Sequence, residues 1–444
     1  LEQYIQSKIL LPLCTIKYSN MRTVTFNITK LGAIRDSKIE LKPLMLFSGE
    51  SGLGKSYAAF LIHYLYVLLI NHRLNNYFIE NNYDFTSVFS TKKSGEVLFK
   101  LSVKDLFSWI NKDAISYIGY MIGHENFTGE VEIDFACENE YFEFTFEDEI
   151  VGLDNHEDVF YKIILNDFTY RILANSFEPN SAPFADLISA VLLDEIFGNY
   201  TAIKRTYLMP PSRGALMELA ERPSFRSGMY DEFFDFKIAL NRPLPKPATI
   251  NPIISTCLQE VNNGNLQQVE DRIMYYTNNG DSMPLTAAAS SIKEMAPFTL
   301  MLNKFSAKGI SILFEEPEAH LHPDRQVKVA DLIACALNQG CHMQITTHSD
   351  YFIKRINNLM KLHQLKEKTH PEVFTGLLMK KHIKDDCLID SAQVGAYLLK
   401  RMDDGTSRII PQDVLAKDEI PFESFYQVIE DDIELSREIR QLLQ

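Results

Sequence analysis

Gly49, Gly54, Lys55 and Ser56 are spaced as Gly-x-x-x-x-Gly-Lys-Ser, and that spacing can cradle a chain of phosphates. Glycines let the backbone wrap an anion and turn its N–H groups inward. A helix that begins directly after the loop adds the positive end of its dipole. Lys55 then reaches the β- and γ-phosphates of a nucleotide, and the Ser56 hydroxyl can meet Mg2+. Gly49, Ser51, Gly52, Gly54, Lys55, Ser56 and Tyr57 are the residues expected against the nucleotide. Far downstream, Glu315 and Glu316 close the apolar run 310–314. Paired carboxylates at a strand end suit a metal contact beside a base that polarises water. His348 follows a second short strand, 341–346, in Thr347-His348-Ser349-Asp350.

These groups need elements to hold them. Leu44-Met45-Leu46-Phe47 reads as a buried strand leading into the glycine loop, and an apolar helix from Tyr57 to about Leu74 follows it. Strands are expected at 23–28 and 38–41, with Pro43 separating the second from the loop strand. Pro323 stands at a favoured first-turn position for a helix reaching about Leu337, and Asp350 is placed to cap another. A helix is also expected from Asp186 to about Ala202.

Between these parts the pattern is irregular. Val131, Ile133 and Phe135 alternate with Glu132 and Asp134, and Phe142, Phe144 and Phe146 with Glu143 and Thr145, so the two runs read as a hairpin turning at 137–140. No Lys or Arg occurs between Lys112 and Lys162, while Glu and Asp recur. The face is either a solvated acidic sheet or a docking surface for a basic partner. Pro210-Pro211-Ser212-Arg213-Gly214 must be a loop, and Arg242-Pro243-Leu244-Pro245-Lys246-Pro247 is a second connector. The expected division is an α/β core formed by 1–75 and 205–444, with a mixed α+β lobe, 76–204, inserted between its halves.

Composition bounds the rest. The chain has 444 residues, a globular apolar fraction of 46% and a net charge of −15, which argues against a whole-surface nucleic-acid binder. Its six cysteines are scattered without a Cys-x-x-Cys pair, so reduced thiols are expected rather than a zinc site. No signal peptide is read at Leu1-Glu2-Gln3-Tyr4, and the apolar run 58–70 is too short to span a bilayer. A cytoplasmic protein without membrane contact is expected.

In order, the phosphate loop, the Glu-Glu strand end and the Thr-His-Ser strand end resemble the P-loop ATPase head of the ABC superfamily. The soluble RecF, SMC and OLD-like branch is the closest. By this resemblance Glu315 takes the Walker B metal position, Glu316 the catalytic base and His348 the switch histidine. Ala319-His320-Leu321-His322 is similar to the D-loop, with His322 a further candidate. Pro284 to Glu294 resembles the signature segment, in which Ser290, Ser291 and Lys293 would meet the γ-phosphate held by an opposite subunit. The chain departs from the family in having Ser291 where glycine is usual. It also has no glutamine between Gln6 and Gln259 for the Q-loop. Arg213 is either the substitute or a structural turn arginine.

The resemblance implies a Mg2+-dependent ATPase that closes two nucleotide sites between copies of the chain, as a homodimer or higher oligomer. The wording Glu-Glu-Pro-Glu-Ala-His-Leu-His-Pro is close to OLD-like and related bacterial defence ATPases, and the layout of a stand-alone ATPase subunit resembles phage-defence systems of the Septu and PARIS kind. That implies a separate effector, a nuclease or toxin. The alternative is a RecF-like DNA-binding repair or replication ATPase. Its support is the basic stretch Lys354, Arg355, Lys361, Lys366, Lys368, Lys380, Lys381 and Lys384.

Overall fold

A run such as Leu44-Met45-Leu46-Phe47 has no polar side chain for a water-facing side, so as a strand it must be covered on both faces. In the computed structural model it is: Leu44–Gly49 is a strand, and Leu44 through Ser48 are buried. The structure describes residues 21–90, 93–135, 137, 139–153, 156–242, 250–269, 272–414, 420 and 423–442. The N-terminal tetrapeptide and residues 243–247 of the second connector lie outside them.

The chain forms two compact units. One comprises residues 28–63, 118–129 and 207–444. Six of its strands run in the order Ile34–Glu40, Ser407–Gln412, Val394–Arg401, Leu44–Gly49, His342–Thr346 and Ile310–Glu315, within a nine-stranded sheet. The last four of these are mutually parallel. Parallel register aligns their C-terminal ends: Glu315 lies opposite Thr346, Thr346 opposite Phe47, and Gly49 opposite Leu399. Ligands of open parallel sheets bind at that edge. A separate three-stranded antiparallel sheet, Gly264–Val269, Arg272–Thr277 and Ser282–Pro284, precedes the helix Ser290–Lys304.

The other unit comprises residues 1–27, 64–117 and 130–206. Its four-stranded antiparallel sheet runs Val97–Ser102, Tyr141–Leu153, His156–Leu165 and Phe168–Leu173. Phe184 of the helix Ala182–Phe197 stacks on Phe85 with ring centroids 4.8 Å apart, and Phe99 and Phe144 pack around it. Phenylalanine is the packing currency of this unit.

The structure corrects three expectations. Gly129–Phe135 and Tyr141–Leu153 are both strands but not a hairpin. The first neighbours Val24–Leu31, and the second pairs with Val97–Ser102 and His156–Leu165. Alternation fixes which face a strand buries, not which strand it joins. The acidic stretch is not bare either. Glu143 pairs with Lys100 at 2.5 Å, and Glu149 with Lys162 at 3.1 Å and Arg171 at 2.9 Å. Neighbouring strands supply the cations that the local sequence lacks. The third correction is a cap. Ser349, not Asp350, caps the helix Asp350–Lys368, its hydroxyl accepting from the Phe352 N–H at 3.0 Å.

Element ends also move. The helix after the loop is Lys55–Ile70, and the helix expected from Asp186 is Ala182–Phe197, ended by Gly198 in the left-handed region. Among the described residues, no helix is long and apolar enough to cross a membrane.

Candidate functional site

The loop after Leu44–Gly49 turns on glycines in the left-handed half of backbone space. Gly49 has φ 122°, Gly52 φ 77° and Gly54 φ 100°. Gly49 is doubly constrained, because a Cβ there would lie 2.4 Å from the Leu399 carbonyl oxygen. Lys55 and Ser56 open the helix that follows. The Lys55 ammonium donates to the carbonyls of Gly49 at 2.9 Å and Glu50 at 2.8 Å, closing the loop on itself. Burial pushes Lys55 down to about 8, against the pull of Glu316, Glu315, Glu318 and Glu50. Ser407, two strands away from the loop strand, braces the loop by donating to the Leu53 carbonyl at 2.7 Å. The Tyr57 ring is packed by Gly32 and meets Phe127 edge-on at 5.5 Å.

The parallel register brings both other constellations to this loop. The Thr347 N–H donates to the Phe47 carbonyl at 3.0 Å, and the Glu316 N–H to the Thr346 carbonyl at 3.0 Å. Glu315 is buried, and the Ser56 hydroxyl favours its charged form. Burial pushes its pKa up to about 7; the Ser56 hydroxyl opposes the shift and the charge of Glu316 adds to it. Its Oε1 is buried without a hydrogen-bond partner. A serine hydroxyl and an unpartnered carboxylate oxygen are hard donors, and together they fit Mg2+.

Glu316 is half-exposed and sits at φ 45°, a costly conformation for a side chain of this kind and typical of functional turns. His348 Nε2 lies 3.9 Å from Glu316 Oε1 and 3.4 Å from Ser51 Oγ. Burial and Lys55 hold the imidazole below its ordinary pKa, so its neutral form is favoured. Phosphate loop, carboxylate pair and histidine thus form one cluster.

Arg213 is wholly buried. Its guanidinium donates to the carbonyls of Glu294 at 2.9 Å, Pro210 at 3.1 Å, Glu315 at 2.8 Å and Glu316 at 3.2 Å. It also lies over the Phe314 ring at 4.6 Å. Burial pushes it down to about 10, opposed by Glu294 and the acids of the site. With no exposed surface it offers nothing to a nucleotide; it ties the carboxylate turn to the helix Ser290–Lys304. Ser290 stands exposed at the start of that helix and Ser291 is half-buried behind it. Lys293 is paired with Glu218 at 2.6 Å. His322 is exposed and caps the helix Pro323–Asn338, accepting from the Asp324 N–H at 3.4 Å.

Sequence reading gave no role to Glu318. Its Oε1 accepts from Thr347 Oγ1 at 2.7 Å and from the His348 N–H at 2.7 Å. Its Oε2 is buried without a partner, and burial raises its pKa. The available signal was a third acid two residues beyond the pair.

Residues 230–353 match the family model of an AAA ATPase domain, a span that includes Ser290, Glu315, Glu316 and His348. No curated protein matches the chain. Among solved structures, the SMC head domain from Thermotoga maritima is 10% identical, covering 88% of this chain and 100% of its own, with a TM-score of 0.35. An Smc head domain with an extended coiled coil, bound to the C-terminal domain of ScpA, derived from Pyrococcus furiosus, is 12% identical. It covers 94% of this chain and 99% of its own, with a TM-score of 0.35. Likenesses at that score bear on neither activity nor partners. The ATPase-domain match, with a phosphate loop and a carboxylate pair at one sheet edge, makes this an α/β P-loop protein whose reaction is ATP hydrolysis.

Proposed function

We propose that the chain is an ATP-driven control subunit of the ABC type, in which two copies share their nucleotide sites. The loop N–H groups and Lys55 hold the phosphates, while Ser56 and Glu315 would hold Mg2+, which would supply charge stabilisation to the phosphoryl group. Glu316 orients and deprotonates the attacking water, and His348, in reach of both Ser51 and Glu316, reads the terminal phosphate. Catalysis is then mostly fixed charge aimed at the transferring group.

The observation that carries the shared site is the placement of Ser290. It stands on the exposed first turn of its helix, with no side-chain cap at Ala289, while Arg213 ties that helix to the carboxylate turn. An exposed, uncapped helix start linked to the catalytic acid suits a phosphate brought by another copy. Ser291 and Lys293 flank it.

The output goes to a separate effector protein, a nuclease or toxin, and the resemblance of the carboxylate motif supports a setting in anti-phage defence. The lobe 76–204 is the proposed contact. What supports it there is the exposed Glu147 and Asp148, beside the acids already paired within the lobe. A nucleic-acid clamp has less support. Of its basic stretch, Arg355 is held by Asp331 at 2.6 Å, Lys366 by Asp385 at 2.6 Å and Lys384 by Glu260 at 2.5 Å.

Glu316→Gln tests the shared site, since it keeps the shape and loses the base. Sedimentation with ATP and Mg2+ is expected to show this variant at twice the chain mass, and with ADP at the mass of one chain. A variant that binds ATP and stays at the mass of one chain would remove the reading.

A further inference from the structure

We infer that Glu318 is a positioning residue for hydrolysis: its carboxylate latches the loop that carries His348 to the turn that carries Glu316. The inference rests on the roles proposed above for those two residues.

Two short segments must hold register for His348 and Glu316 to face the same reacting phosphate. The backbone supplies one tie, from the Glu316 N–H to the Thr346 carbonyl at 3.0 Å. That tie lies before His348 and leaves its own N–H to be satisfied elsewhere. Glu318 Oε1 satisfies it at 2.7 Å and takes the Thr347 hydroxyl at 2.7 Å as well. Thr347 is fully buried, so its hydroxyl has no water to turn to. Thr347 Oγ1 in turn accepts from the Ser349 N–H at 3.0 Å, and Ser349 caps the helix Asp350–Lys368. One carboxylate oxygen therefore anchors the whole switch segment, from Thr347 to the helix behind it.

The other side of the latch is equally fixed. Glu318 lies in a tight turn in which the Ala319 N–H donates to the Glu316 carbonyl at 3.0 Å and the Leu321 N–H to the Glu318 carbonyl at 3.1 Å. The Glu316 carbonyl also takes Arg213 at 3.2 Å. Glu318 thus moves with the turn that holds Glu316 at φ 45°. Its second oxygen, Oε2, is buried and unpartnered, and its charge acts on both Lys55 and Arg213. The carboxylate serves alignment of the two segments.

The test compares Glu318→Ala, Glu318→Gln and Thr347→Val with the parent chain and with Glu316→Gln. Loss of the latch is expected to lower kcat by roughly 10–100-fold, as for partners that orient catalytic groups, with the KM for ATP unchanged. Glu318→Gln keeps the accepting oxygen and is expected to recover part of that loss. Thr347→Val removes one of the two bonds to Glu318 and serves as the second variant should Glu318→Ala fail to fold; it is expected to lose kcat by a smaller factor. Parent kcat in Thr347→Val and Glu318→Ala overturns the latch. So does a Glu318→Gln variant as inactive as Glu316→Gln, which would make Glu318 a base. A parent chain that turns over ATP while these variants match it refutes the latch alone. A parent chain without turnover refutes the roles of Glu316 and His348 beneath it.

Discussion

Glu315 works against the fold that holds it. Burial moves its pKa from an ordinary 4.5 up to about 7, so between those values the folded chain keeps a proton that the unfolded chain has lost. A group that binds more protons when folded makes stability fall as pH rises through that window. The full penalty stands above pH 7 and is on the order of 3 kcal/mol. Glu315→Gln removes the charge and keeps the shape. Urea denaturation without Mg2+ is expected to show the variant more stable than the parent at pH 8 and little changed at pH 5. Parallel profiles for the two chains would contradict the burial argument. The place of Glu315 at a strand end was legible in the sequence from the run of residues before it. Glu318 was not, because its partners Thr347 and His348 lie 29 and 30 residues away.

At the level of elements, Arg213 shows what a local pattern hides. Pro-Pro-Ser-Arg-Gly announces a turn, and the turn is there, with Ser212 in the left-handed region at φ 58°. What the arginine does there depends on carbonyls at 294, 315 and 316, which sequence spacing does not bring near it. Arg213→Ala leaves Glu294 buried beside an unfilled cavity and several carbonyls without donors. The expected loss is about 3–5 kcal/mol, as when one partner of a buried pair is removed. Arg213→Lys is expected to recover only a part, because one ammonium lacks the span of a planar guanidinium. Chemical denaturation of both variants measures this; a loss below 1 kcal/mol in Arg213→Ala, on the scale of an exposed pair, would contradict the role of brace. The misplaced strand Gly129–Phe135 teaches the same point, since its alternation was read correctly and its neighbour was not.

For the whole molecule, a nucleotide site was legible from motif order, while its assembly depended on strand order. Nothing in the chain announces that Leu44–Gly49 lies between Val394–Arg401 and His342–Thr346, yet that order sets the carboxylates and the histidine against the loop. Charge was legible only as a sum, because Lys100, Lys162 and Arg171 reach the lobe's acids across strands. Sharing of sites between copies is the claim on which the proposed function turns, and complementation reads it directly. Lys55→Ala lacks the cation for the phosphates, and Ser290→Arg blocks the helix start offered to another copy. Each variant alone is expected to hydrolyse no ATP, while Ser290→Arg still binds it. Mixed, they are expected to regain hydrolysis, because each mixed pair rebuilds one complete site from the loop of one chain and the Ser290 of the other. Mixed pairs that form and stay inactive, or Ser290→Arg turning over at the parent rate alone, would contradict it.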